Sequence, residues 1–118
     1  MTTLYQRLGG KAVIRQIASD VVAIHYQHPY THHRYSAKHI PTVERETTNF
    51  FTTITGGPHC FNNNTLAQTK QDLAMEEAEF TSILDDVLLA LERNQVAQRE
   101  QEEVLYMLYQ LKHSFTLN

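Results

Sequence analysis

Five of the seven histidines crowd one stretch: His25, His28, His32, His33 and His39. Imidazole ligates iron, zinc, copper and nickel, and it changes charge near neutral pH. His25 and His28 are three apart and share a face if the segment is helical. His28 and His32 would stand one turn apart only if Pro29 left that helix intact. A compact zinc site needs cysteine pairs or an HExxH helix, and neither is present. The simpler expectation is a polar surface corner rich in histidine rather than a dedicated metal site. Cys60, the only cysteine, lies beside His59. Neighbours in sequence rarely present a nucleophile and its base together, and no third orienting group is evident. There is no phosphate-cradling glycine loop and no nucleophile elbow, so an enzyme is not expected. Glu76, Glu77 and Glu79 suit the start of a helix, and "REQEEV" suits a solvated face.

The elements that must carry these residues are helical in period. Ile14, Ile17, Val21 and Ile24 recur at threes and fours, which predicts a helix over Lys11–Gln27 that Pro29 stops. A second helix starts near Pro41, lines up Val43, Thr47, Phe50, Phe51 and Ile54, and ends at Gly56 and Gly57. "FFTTIT" carries β-branched residues, yet its continuity with the preceding pattern favours helix. "TGGPHCFNNN" reads as a connector, and a weaker helix spans Asn64–Leu73. Phe80, Ile83, Leu84, Val87, Leu88 and Leu91 form a broad stripe over Glu77–Arg93. The last helix, Val96–Phe115, carries Val104, Leu105, Leu108, Leu111 and Phe115. Tyr26, Tyr30, Tyr35, Tyr106 and Tyr109 fit a pocket filling or a core edge with a wet hydroxyl. The class is all-α with five or six helices.

The 118 residues suit one domain over the whole chain, 1–118. A net charge of −3 with no basic face argues against nucleic acid. One cysteine excludes an internal disulfide and fits a reducing compartment. "MTTLYQRLGGKAV" lacks the apolar core of a signal peptide, and no run approaches the ~18 apolar residues of a span. A soluble cytoplasmic protein that does not engage membranes is the expectation.

"LYQRLGG" at Leu4–Gly10, "ITGGP" at Ile54–Pro58 and "QDLAMEEAEF" at Gln71–Phe80 follow in one order. Together they resemble the truncated haemoglobins, most closely their first group, over nearly the whole chain. The resemblance implies a compact globin-like two-over-two helical sandwich that encloses haem. It also places the family's proximal histidine, in its H-x-x-L pattern, at Lys70 of "KQDL". The Phe-Tyr pair of the first long helix falls on Val21 and Val22. The aromatic pair beside the porphyrin falls on Arg34 and Tyr35, the distal polar positions on Val43 and Glu46, and the connector tyrosine on Phe61.

Two expectations follow from this resemblance. The ligand, the distal tyrosine and the distal amide are all replaced. A lysine ligates only as the neutral amine, and deprotonating an ordinary one near pH 7 costs ~4–5 kcal/mol. The favoured expectation is therefore a globin fold without a cofactor, serving as a non-enzymatic scaffold or an interaction or sensor module for an unnamed protein partner. The alternative is a haem b protein with atypical axial ligation, from Lys70 or from His32, His33 or His39 of the corner. That protein would bind a diatomic gas or sense redox state.

Overall fold

The computed structural model describes residues 2–29, 39–58 and 75–112. Five helices are described: α1 (Leu4–Leu8), α2 (Lys11–Gln27), α3 (Ile40–Ile54), α4 (Glu77–Arg93) and α5 (Gln98–Gln110). They form an all-α two-over-two sandwich of the truncated-globin type. α2 packs on α3 and on α4, α4 packs on α5, and α1 sits against α2 and α5. None of the described helices is long and apolar enough to cross a membrane.

Each helix has a local cause. Thr3 caps α1: its hydroxyl accepts the Gln6 N–H, and the Gln6 amide oxygen accepts the Thr3 N–H. Gly9 ends α1 in the left-handed region at φ 117°, and a Cβ there would lie 2.5 Å from Val13 Cγ2. Pro41 occupies the first turn of α3, where a missing N–H costs nothing. "FFTTIT" is helical in Phe50–Ile54. The hydroxyls of Thr47, Thr48, Thr52 and Thr53 each donate to the carbonyl four residues earlier. Those bonds satisfy side chains that would otherwise compete with the helix. α5 starts later than the apolar pattern suggests. Gln95 turns left-handed at φ 59°, and the Val96 N–H donates back to the Leu91 carbonyl.

The main core joins all five helices. Leu4 and Leu8 come from α1, Ile14, Ile17 and Val21 from α2, and Phe51 from α3; Val87 and Leu91 come from α4, and Val104 and Leu108 from α5. Of the residues expected inside, Val21, Phe51, Val87 and Leu108 are buried, whereas Phe50, Ile83, Leu84 and Leu111 are half-buried. Polar ties close the periphery. Arg7 reaches Glu100 at 2.9 Å and Glu103 at 2.7 Å, the Asn94 amide donates to Asp20 at 2.8 Å, and Lys112 pairs with Glu77.

The first and second resemblance motifs touch. The Tyr5 N–H donates to the Thr55 carbonyl at 2.8 Å. A Cβ on Gly57 would lie 2.6 Å from the Tyr5 ring and 2.8 Å from Thr52. "LYQRLGG" and "ITGGP" therefore work as the two halves of one contact, with glycine required for close approach.

Candidate functional site

A second apolar cluster adjoins the main core and shares Phe50, Ile83 and Leu84 with it. Met75 and Phe80 are buried, with Phe50 of α3, Ile83 and Leu84 of α4, and Leu111 packed against them. Phe50 meets Phe51 edge to face at 5.7 Å between centroids and packs against both clusters, whereas Phe51 belongs to the main core. Val43 stands two turns before Phe50 on α3 and is half-buried, and Glu46 is exposed.

The remaining expected site residues divide in two. His39 precedes α3 as an exposed residue, its Nδ1 2.9 Å from the Thr42 hydroxyl. Lys70, Tyr35, Phe61, His32 and His33 lie outside the described residues, as does Arg34. Val21 and Val22 are buried on α2, 3% and 1% exposed, and offer no hydroxyl. Among the described residues no group of three His, Cys, Asp or Glu side chains could hold a metal ion.

The histidine-rich stretch differs from a surface corner at its start. His25 is 3% exposed, and its Nδ1 lies 2.8 Å from a carboxylate oxygen of Asp86, itself 6% exposed. Burial holds the His25 imidazole below its usual pKa, outweighing the opposing pull of Asp86 and the weaker one of Glu79. A neutral ring next to an acceptor-only carboxylate must donate from Nδ1. His28 reaches Ser82 at 3.3 Å, so both histidines do share the α2 face turned to α4. Glu79 also departs from a simple helix-start role, being 5% exposed. Asp86 and Ser82 carried no mark as partners in the sequence. The usable signal was register: His25 falls four residues after Val21 on the buried stripe, and Ser82 and Asp86 are four apart on α4.

A porphyrin presents two apolar faces and a central metal. The apolar cluster of Phe50, Phe80, Ile83 and Leu111 fits such faces, and Val43 extends the same side of α3. The chemistry of the described residues therefore suits haem.

Comparison with known proteins agrees. The family described as "Bacterial-like globin" matches residues 3–117. No curated protein matches the sequence. Among solved structures, the chain is similar to the truncated haemoglobin of Tetrahymena pyriformis in its Fe(III) form. The TM-score is 0.90 at 14% identity, over 99% of this chain and 100% of that one. It is similar to the 2/2 haemoglobin of Synechococcus sp. PCC 7002 in the cyanomet state with covalently attached haem. There the TM-score is 0.86 at 20% identity, over 96% and 95%. The haemoglobin of Chloroflexus aurantiacus gives a TM-score of 0.84 at 18% identity, over the whole of both chains. At these identities the likeness shows the fold.

The expectation that no cofactor is favoured is overturned by the family match and by solved neighbours that carry haem. It weighed single ligand positions too heavily. Haem is retained largely by burying its apolar faces, each 100 Å² contributing about 2.5 kcal/mol, and that term does not depend on the residue at the iron. With the fold, the apolar cluster and a match over nearly every residue, this chain belongs to the bacterial-like globin family, as a truncated haemoglobin.

Proposed function

We propose that this truncated globin binds haem b with atypical axial ligation and acts in diatomic-gas binding or redox sensing rather than in turnover of a substrate. The observation that carries the reading is the apolar cluster of Phe50, Met75, Phe80, Ile83, Leu84 and Leu111. In this reading Val43, Tyr35 and Phe61 would hold the porphyrin, and Lys70, or an imidazole from His32, His33 or His39, would ligate its iron. Bound haem supplies an iron that takes up a small gas or exchanges one electron.

The chain's own residues then set the terms. Lys70 must shed its proton to ligate, and an apolar surround favours that by penalising the ammonium. His39, if it ligates, has Nε2 to offer, since Nδ1 is engaged with Thr42. Val22 and Val43 provide no hydrogen-bond donor, and an ionised Glu46 only accepts. A gas that relies on a donated hydrogen bond, such as dioxygen, gains nothing from these three positions, whereas carbon monoxide loses nothing. A cytoplasmic setting suits the single cysteine, and nucleic acid and membrane are not partners in this reading.

Titration of the purified chain with haemin tests the proposal. A saturable Soret band at one haem per chain is expected; a spectrum no different from free haemin would overturn it.

A further inference from the structure

A groove of about 490 Å³ runs between α4 and α5, on residues that the haem reading does not use apart from Leu84. Leu84 and Leu88 form one wall, one turn apart on α4, and Leu105 and Tyr109 form the other at the same spacing on α5. Tyr106 completes the lining. Two parallel ridges four residues in period leave a furrow of the shape that a third helix fills. Tyr106 and Tyr109 are 63% and 61% exposed. Tyrosines of this kind anchor interfaces, because they offer large area for little conformational entropy.

The charge around the groove is one-sided. Asp85 and Glu102 stand in its lining, and neither has an ion-pair partner among the described residues. Glu102 accepts only the Gln98 amide, at 3.2 Å. Lys112, 5.7 Å from the Tyr109 ring centre, is already paired with Glu77, and Arg99 of α5 is paired with Glu103.

These facts select the occupant. A second copy docked face to face would set Asp85 and Glu102 against the same acids. The lining is also far smaller than the ~20–30 residues a side of a standard protein interface. A single helix needs only a few anchors at i, i+3 or i+4, and i+7. We propose that the α4–α5 groove is a docking site for a basic amphipathic helix of a partner protein, its apolar stripe on Leu88, Leu105, Tyr106 and Tyr109 and its lysines or arginines beside Asp85 and Glu102.

The test uses the full chain as purified and two fluorescein-labelled synthetic peptides with the same leucine stripe, one carrying lysine and the other glutamate at all remaining positions. Anisotropy should show saturable 1:1 binding of the lysine peptide and affinity lower by about tenfold or more for the glutamate peptide. The double variant Asp85→Lys/Glu102→Lys should reverse that preference. Tyr106→Ser/Tyr109→Ser should weaken the lysine peptide by about tenfold, with the melting curve unchanged because both side chains are exposed. Equal binding of both peptides would overturn the proposal. So would an equal loss in Glu92→Lys, an exposed acid of α4 outside the groove, because attraction would then be to net charge alone. A concentration-dependent dimer in sedimentation that Tyr106→Ser/Tyr109→Ser abolishes would assign the groove to a second copy instead. None of these readouts depends on haem, so failure here and failure of the haem titration are separate results.

Discussion

His25 and Asp86, separated by 61 positions in the chain, meet at 2.8 Å inside the α2–α4 seam. The pair is the buried polar contact of a seam whose edges carry two more, His28 with Ser82 and Asn94 with Asp20. Its chemistry makes stability depend on pH. Burial lowers the folded-state pKa of His25, whereas in the unfolded chain the ring titrates near 6.5. Between those two values the unfolded chain holds a proton that the folded chain does not. Stability therefore falls as pH drops through about 6.5 toward the folded value, and it is flat above that window. One such group contributes a slope of at most about 1.4 kcal/mol per pH unit. Urea melts at about pH 7.5 and pH 5.5 should show the loss. His25→Gln should remove this share of it, and identical slopes in the two proteins would rule the mechanism out.

Asp86→Asn should cost about 1–3 kcal/mol at neutral pH, because His25 would keep its burial while losing a charge-assisted acceptor. The check is chemical denaturation. A cost within error of zero would mean that the seam repacks around another partner.

Core truncations should rank by burial. Leu91→Ala and Leu108→Ala remove side chains that are 1% and 6% exposed and should cost about 2–5 kcal/mol each. Leu84 is half-buried at the edge of the α4–α5 groove, so Leu84→Ala should cost roughly half as much. An equal loss at Leu84 would show that the groove is closed in solution.

Gly57→Ala should destabilise by about 1–3 kcal/mol, since its methyl would enter the Tyr5 ring at 2.6 Å. Tyr5→Ala in the same chain should recover part of that loss. Additive costs in the double mutant would refute a direct clash.

Lys70→His should raise haem affinity and give a histidine-ligated Soret and visible spectrum, because a mostly neutral imidazole avoids the lysine's deprotonation cost. If Lys70 is the native ligand, Lys70→Ala shifts or abolishes the spectrum. If a corner imidazole is the ligand, Lys70→Ala leaves the spectrum intact, and substitution of His32, His33 or His39 changes it. No gain of haem in Lys70→His would mean either that the pocket is filled or that the alignment of "KQDL" with the proximal position is wrong.

The helices were legible where several local rules agreed. α2 runs over Lys11–Gln27 and α4 over Glu77–Arg93, as their apolar stripes, Pro29 and the leading glutamates indicate. Phe50, Phe80, Ile83 and Leu111 were legible as apolar helix faces, but nothing in their pattern marked them as neighbours in one cluster. What the sequence concealed are relationships between distant positions. His25 looked like a member of a surface cluster because its acceptor lies on another helix. Phe50 and Leu84 looked mostly buried and are half-buried, because periodicity gives the face of a helix but not how far its neighbours cover it. Gly57 looked like a helix stop, and nothing near it shows that Tyr5 needs the space.

Arg7 spans a sequence distance of 93 positions to reach Glu100. That clamp sets an order of events in synthesis. Because synthesis runs from N to C, α1 can dock early on the end of α3 through Tyr5 and Thr55, but its other flank waits for α5, which is made much later. Until then Leu4 and Leu8 lack their α5 neighbours, and the nascent chain exposes apolar surface at its leading end. Closing so long a loop slows the last step of folding far more than it weakens the finished protein, since closure entropy grows only with the logarithm of length. A bulky fusion ahead of Thr3 should accordingly lower the yield of folded chain more than the stability of the molecules that do fold.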